Sequence, residues 1–115
     1  MSTKNIRSLR MQPAGHSLGA DPVLFAEAFN GEDFAGDWGH VEYVTLPVGS
    51  TIPVHKHEED EEIYFIFEGR GMLTLDGKES SVGEGDLMAC RQGSSHGLRN
   101  TSDQEIKLIV VGIPV

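Results

Sequence analysis

Residues 49–69, GSTIPVHKHEEDEEIYFIFEG, place two histidines and a glutamate beside a predicted strand. His55 and His57 are two residues apart, so in an extended strand their side chains point to the same face. Glu62 opens an apolar run at 63–67 that is rich in β-branched and aromatic residues, which predicts a second strand. Two neutral imidazoles and a carboxylate that meet across paired strands can coordinate a divalent transition metal. An H-x-H pair alone indicates such a site only weakly, because surface histidines often fall two apart by chance.

A second segment, residues 85–100, supplies one more donor. Its sequence is GDLMACRQGSSHGLRN, and His96 follows Gly93 by three residues and precedes Asn100 by four. The two segments together resemble the motifs of the cupin family. The first motif is a glycine, five residues, H-x-H, three or four residues, a glutamate, six residues and a glycine. It is matched by Gly49, His55, His57, Glu62 and Gly69.

The second cupin motif is a glycine, five residues, P-x-G, two residues, a histidine, three residues and an asparagine. It is matched by Gly85, Gly93, His96 and Asn100, and the matched segments cover about a third of the chain. Arg91 stands where the family usually has proline. That proline shapes a turn and is not a ligand, so the departure concerns local rigidity and leaves the expected metal site intact.

The resemblance implies an all-β fold, the double-stranded β-helix or jelly-roll barrel of a small single-domain cupin. It also implies that one divalent transition metal is bound by His55, His57, Glu62 and His96. Three imidazoles and a carboxylate would leave two adjacent positions of an octahedral metal open, and Fe, Mn, Ni, Cu, Co and Zn all accept this ligand set. The presence of Glu62 argues against the three-histidine thiol dioxygenases of the family.

The composition agrees with one small β-domain. The chain has 115 residues and 14 glycines, and nine or ten short predicted strands follow one another without a long helical pattern. We expect an N-terminal arm at 1–20, with a short strand near 6–9, and a barrel domain at 21–115. The polar loop at 30–39 carries Phe34 and Trp38, which either pin it to the barrel or make it a lid over the barrel mouth.

Charge and cysteine content restrict the partners and the compartment. The net charge of −9 argues against nucleic acid and against an anionic membrane surface as partners. No run is apolar and long enough to span a membrane or to act as a secretory signal, and the single cysteine, Cys90, excludes an internal disulfide. We therefore expect a cytoplasmic protein.

Side-chain alternation along the 63–67 strand predicts a homodimer. If Glu62 faces the interior, Tyr64 and Ile66 do as well. Three large apolar side chains then face outward and need a cover: Ile63, Phe65 and Phe67. The N-terminal arm or a second subunit could supply it, and small cupins commonly dimerise through such a surface.

Other polar residues are candidates for the site. Tyr64 could contact substrate or orient the site as a catalytic residue, or could be a core tyrosine with a satisfied hydroxyl. Glu42 is a second inward candidate for proton transfer. Asn100 is expected to bond a turn of the barrel, while His16 and His40 match no ligand position and are interpreted as surface or structural residues.

Several further side chains could reach the pocket, although each has a simpler interpretation. Arg91 and Gln92 are expected near the mouth, where Arg91 could meet an anionic substrate or lie in a solvated loop. The sulfur side chains of Met72, Met88 and Cys90 could line the pocket or fill the core.

The predicted site supports three functions. The first is a metalloenzyme that acts on a small oxygen-rich organic substrate by Lewis-acid or oxygen-dependent chemistry, of the dioxygenase, isomerase, decarboxylase or cyclase type. The second is a non-catalytic module that binds or senses a small ligand. The third is a structural role in which a metal only stabilises the barrel. The fold and ligand set define a site without defining a reaction.

Overall fold

The computed structural model of the protein describes residues 3–19 and 21–115. Within these residues it contains short 3-10 helices at Ile6–Ser8 and Gly31–Asp33, and ten β-strands. The strands are β1 (Gln12–Pro13), β2 (Leu24–Asn30), β3 (His40–Leu46), β4 (Thr51–Lys56), β5 (Asp60–Glu68), β6 (Gly71–Leu75), β7 (Lys78–Val82), β8 (Leu87–Cys90), β9 (Ser95–Arg99) and β10 (Ile106–Pro114).

The strands form two antiparallel sheets that face each other. One sheet has the order β1-β2-β3-β10-β5-β8, and the other has the order β4-β9-β6-β7. Consecutive strands of the chain are therefore often in different sheets, as in a jelly roll. The predicted all-β double-stranded β-helix is confirmed.

Every second side chain of β5 and β10 points into the space between the sheets. On β5, Glu62, Tyr64 and Ile66 are buried, whereas Ile63 is exposed and Phe65 and Phe67 are half-buried. This is the predicted parity, and it is repeated on β10, where the buried positions are Ile106, Leu108 and Val110. Burial of such side chains stabilises the fold by about 1.5–3 kcal/mol each.

The tight turn between β6 and β7 is formed by Asp76-Gly77, a dipeptide that in the sequence alone is a strong signal for a two-residue hairpin. Asp76 and Gly77 have φ angles of 49° and 81°, so both central residues lie in the left-handed region that a two-residue hairpin of type I′ requires. The Asp76 carboxylate also accepts a hydrogen bond from the backbone N–H of Ser95, at 2.9 Å. The turn is thereby attached to β9 close to His96.

The prediction of a strand near 6–9 is wrong. Residues Ile6–Ser8 form a 3-10 helix, because the Asn5 side chain accepts a hydrogen bond from the Arg7 N–H at 2.9 Å and closes the turn locally. The extended segment comes later, at β1, which pairs with β2. Residues 1, 2 and 20 of the predicted arm lie outside the described part of the chain, and the division at 20/21 stays a prediction.

The aromatic residues of the 30–39 loop pack on one another. The rings of Phe34 and Trp38 are stacked with centroids 4.6 Å apart, and Phe34 contacts Phe29 of β2 edge-on at 6.1 Å. These contacts support the interpretation that the aromatics pin the loop. The cavity described below is lined by neither Phe34 nor Trp38, so it does not support the lid interpretation.

Among the described residues, no helix is long and apolar enough to cross a membrane.

Candidate metal centre

The four predicted ligand residues come together between the two sheets. His55 on β4 pairs in register with His96 on β9, and Glu62 faces them from β5 of the opposite sheet. His57 follows the last residue of β4, and its backbone exchanges hydrogen bonds with the segment before β9, from His57 N–H to Ser94 O and from Gly93 N–H to His57 O. One potential donor atom from each residue lies within 4.8 Å of all the others.

Three of these donor atoms form a tight triangle. Nε2 of His57 lies 2.9 Å from Nε2 of His96 and 3.0 Å from Oε1 of Glu62, and the remaining side, from His96 Nε2 to Glu62 Oε1, is 3.1 Å. Two donors bound at about 2.1 Å and at right angles are about 3.0 Å apart, against about 3.4 Å for tetrahedral angles. The triangle therefore fits one face of an octahedral cation.

Hydrogen bonds outside the triangle orient two of the imidazoles. Nδ1 of His55 lies 2.8 Å from the carbonyl oxygen of Pro53, which can only accept, so Nδ1 carries the proton. Nδ1 of His57 donates in the same way to Oδ1 of Asp60 at 2.7 Å. Both residues then have a lone pair on Nε2, which is the tautomer that metal-binding histidines need. Asp60 belongs to the acidic run at 58–62 and was not singled out from the sequence.

The environment keeps Glu62 ionised and disfavours a charged His96. Burial raises the pKa of Glu62, but hydrogen bonds from His40 and His96 and the nearby His57 lower it to about 2. Burial lowers the pKa of His96, against the opposing effect of Glu62. At neutral pH a neutral His96 can supply at most one proton to the triangle, whereas a divalent cation would satisfy all three donor atoms. The four residues could therefore hold a metal, and that they do so stays a prediction.

His40, which was interpreted as a surface or structural residue, lies beside the cluster. Its Nε2 is 3.1 Å from Oε2 of Glu62 and 3.6 Å from Oε1 of Glu42. The hydrogen bond to Glu62 is the largest contribution that raises the pKa of His40. The sequence indicated this position of His40, because residues two apart on a strand point to the same face and Glu42 was expected to point inward.

A cavity of about 700 Å³ lies next to the cluster and includes His55, His57 and Glu62 in its wall. Residues 14–16 form part of its edge, and the ring of His16 meets that of His55 edge-on at 5.8 Å. His16 was also interpreted as a surface or structural residue. Hydrogen bonds from Ala14 N–H to Val23 O and from Leu18 N–H to Thr51 O hold its segment in place. The remaining wall is mostly apolar: Val23, Phe25, Val44, Ile52, Val54 and Val110.

Tyr64 and Glu42 line this cavity, as their predicted inward direction requires. The Tyr64 ring packs against the His96 ring with centroids 4.4 Å apart, and burial raises the pKa of its hydroxyl well above the ordinary value. Burial also raises the pKa of Glu42, which is the largest effect on that carboxyl. A catalytic role for Tyr64 stays a prediction.

Other predicted pocket residues lie elsewhere. Arg91 and Gln92 are exposed and do not line the cavity, which agrees with a solvated loop at the missing motif proline. Cys90 is buried, and burial raises the pKa of its thiol to about 11. Met88 packs against the hydrophobic core, and neither Met88 nor Met72 lines the cavity. The sulfur side chains therefore do not form the cavity wall.

Comparison with known proteins identifies the family. The model of the cupin domain family matches residues 42–112, which is more than half of the chain. The protein is a cupin. The match includes all four residues of the cluster and both segments from which the resemblance was inferred.

Two curated relatives match this cupin over part of their length. A protein of Methanocaldococcus jannaschii described as uncharacterized is 38% identical over 69 residues, which are 60% of this chain and 55% of that protein. An oxalate-binding protein of Thermotoga maritima is 36% identical over 66 residues, which are 57% of this chain and 54% of that protein. The chain thus spans about half the length of the curated relatives it matches.

A solved structure from Thermotoga maritima is similar over nearly the whole fold. It is described as a predicted oxalate decarboxylase, and it superposes with a TM-score of 0.90 at 25% sequence identity. The superposition covers 99% of this cupin and 100% of that chain.

Proposed function

We propose that this cupin is a metalloenzyme that binds one divalent transition metal at His55, His57, Glu62 and His96 and acts on a small oxygen-rich organic anion. The convergence of His57 Nε2, His96 Nε2 and Glu62 Oε1 at 2.9–3.1 Å beside a cavity of about 700 Å³ carries this proposal. When bound, the metal would act as a Lewis acid toward a carboxylate, carbonyl or hydroxyl oxygen.

Oxalate is the first compound to test as ligand. One relative is described as an oxalate-binding protein, and the similar solved structure is described as a predicted oxalate decarboxylase. Oxalate is small enough for the cavity, and its two carboxylates offer oxygen donors of the kind that divalent metals accept.

The chain supplies three polar side chains around the cavity besides the metal ligands. Tyr64 would donate a hydrogen bond to the bound anion from its un-ionised hydroxyl. Glu42, whose pKa burial raises, would hold or release a proton as a general acid or base. His16 would contact the ligand from the segment at 14–16, opposite the barrel wall.

The test begins with the metal content of untagged protein purified without chelators, measured by plasma mass spectrometry. We expect about one transition metal per chain, and loaded protein should convert hydrogenoxalate into one formate and one carbon dioxide, or another small organic acid into its product. Folded protein that is metal-free and takes up no added metal would overturn the proposal.

Non-catalytic binding is the second candidate function, favoured by the description of the relative as oxalate-binding. Calorimetric titration of loaded protein with oxalate separates the two candidates. Tight binding without product formation, with and without oxygen, would select the binding function. A metal that is retained and raises the melting temperature without enabling ligand binding would select the structural role.

We also propose that the protein is a cytoplasmic homodimer. The outer face of β10, β5 and β8 supports a dimer, because Ile63 and Leu87 are 38% and 69% exposed there. A second copy that covers this face would bury them. Sedimentation at micromolar concentration should give twice the chain mass, and a monomer would contradict the dimer.

A further inference from the structure

The two carboxylate oxygens of Glu62 have different partners. Oε1 lies 3.0 Å from Nε2 of His57 and 3.1 Å from Nε2 of His96. Oε2 lies 3.1 Å from Nε2 of His40, on the other side of the carboxylate. The terminal torsion of a glutamate has a broad energy profile, so its own rotamer preference does not orient the carboxylate. The orientation must come from its partners, and His40 is the one outside the proposed ligand set.

His40 reaches Glu62 across an intervening strand. β3, β10 and β5 are adjacent, and their register aligns His40 with Gly112 and Gly112 with Glu62. Neighbouring strands are about 4.8 Å apart, so the backbones of His40 and Glu62 are separated by about 10 Å. Their side chains bridge this distance directly above Gly112.

Gly112 provides the space for the imidazole. The preceding inward positions of β10 carry large apolar side chains, and glycine takes their place at the level of the cluster. A Cβ at position 112 would lie 2.6 Å from Nε2 and 2.7 Å from Nδ1 of His40, which is too close for non-bonded atoms. The three atoms nearest to such a Cβ all belong to the His40 ring. Any side chain at 112 would therefore displace this imidazole.

We propose that His40 is a positioning residue for the metal centre and that Gly112 is required because it admits the His40 ring. The inference rests on the metal site proposed above. Nε2–H of His40 donates to Oε2 and holds the carboxylate with Oε1 turned toward His57 and His96. Loss of such a partner of a ligating carboxylate typically weakens metal binding by about 10–100-fold.

The first test is cobalt(II) affinity, measured by calorimetry on the intact protein, together with the visible spectrum of the bound ion. His40→Ala should weaken binding by about 10–100-fold and change the spectrum, because the carboxylate is no longer held in one orientation. His40→Gln retains an amide N–H donor and should restore most of the affinity. Lys107→Ala is the matched control, since it removes a 3.0 Å contact to Glu68, another glutamate of β5, away from the cluster.

The second test is a double-mutant cycle. Gly112→Ala should weaken cobalt binding as much as His40→Ala, because the added Cβ displaces the ring. In the His40→Ala background the same change should cause no further loss, because the colliding atoms are absent. Gly36→Ala is the matched control, since a Cβ there would lie at an ordinary 3.8 Å from Trp38. If Gly112→Ala alone does not fold, the double variant should fold and should bind cobalt with the affinity of His40→Ala. That result would equally show that the Cβ at 112 collides with the His40 ring.

The outcomes separate this inference from the proposed function. Wild-type protein that takes up no cobalt would overturn both. Cobalt binding that is equal in wild type, His40→Ala and Gly112→Ala would overturn the positioning role alone. Failure of His40→Gln to recover affinity, or additive losses in the double variant, would also overturn it.

Discussion

Two buried polar groups lie at opposite ends of β9 and differ in how they are satisfied. Asn100 donates from Nδ2 to the carbonyl oxygens of Leu46, Pro47 and Gln104, at 2.8–3.2 Å, and its Oδ1 accepts from the N–H and hydroxyl of Ser102. Every donor faces an acceptor. Around His96, in contrast, two imidazole nitrogens and a carboxylate oxygen face one another at 2.9–3.1 Å.

The difference between the two groups lies in how their donors and acceptors are matched. A buried polar network whose members are all paired stabilises the structure that contains it. In the cluster, at most one proton is available to the three facing atoms, and a cation could satisfy them together. The Asn100 network joins the turn after β3 to the turn before β10 and needs nothing else, so its role is structural, as expected from the sequence.

The largest effect is expected when a predicted metal ligand is removed. Glu62→Ala removes one of four donors, so metal affinity should fall by more than about 100-fold, and His57→Ala should do the same. Metal per chain by plasma mass spectrometry is the measurement. If both variants kept full stoichiometry, the ligand assignment would be wrong.

The second effect is expected when the Asn100 hydrogen-bond network is disrupted. Asn100→Ala removes the hydrogen bonds to three backbone carbonyl oxygens and leaves the Ser102 N–H without its acceptor, so it should lower the free energy of unfolding by about 3 kcal/mol. Chemical denaturation of wild type and variant measures the difference. Metal affinity of the folded variant should be unchanged. A loss of affinity comparable to that of Glu62→Ala would contradict a purely structural role of Asn100.

The contribution of Glu62 to stability should depend on pH. The pKa of Glu62 is about 2 in the folded protein, below its ordinary value of 4.5. Its contribution to stability should therefore be complete above pH 4.5 and be lost as the pH falls toward 2, by an amount on the order of 2 kcal/mol in metal-free protein.

Denaturation curves of Glu62→Gln and wild type between pH 2 and pH 6 test this expectation, since the variant lacks the titrating group. Glu42→Gln is the control. Burial raises the pKa of Glu42, the opposite direction from that of Glu62, so this carboxyl does not contribute a loss of stability as the pH falls. Its replacement should leave the loss of stability at low pH in place. Parallel curves for Glu62→Gln and wild type would contradict the proposed charge state of Glu62.

The smallest effect concerns the ligand. Tyr64→Phe removes only a hydroxyl, so metal content should be unchanged, whereas affinity for oxalate or the turnover of substrate should fall by up to about tenfold. Calorimetry and product assays on loaded protein measure both. Unchanged binding and turnover would assign Tyr64 to the core alone.

Local patterns in the sequence determined much of the fold and of the candidate site. Strand alternation gave the inward direction of Glu62 and Tyr64, and Asp76-Gly77 gave a hairpin, because both depend only on neighbouring residues. The two motif segments gave the four clustered residues through their resemblance to the cupin family. The prediction of a strand at 6–9 failed because the hydrogen bond from the Arg7 N–H to the Asn5 side chain does not depend on the hydrophobic alternation from which strands are predicted.

Only the tertiary structure decided which residues surround the cluster. His40 is 22 residues from Glu62 in the chain, and the two meet because β10 lies between β3 and β5 and carries Gly112 in that row. His16 reaches the cavity because hydrogen bonds of its segment to Val23 and Thr51 fold it over the barrel edge. Strand order and register arise from long-range pairing, and the spacing of residues along one strand carries no information about them.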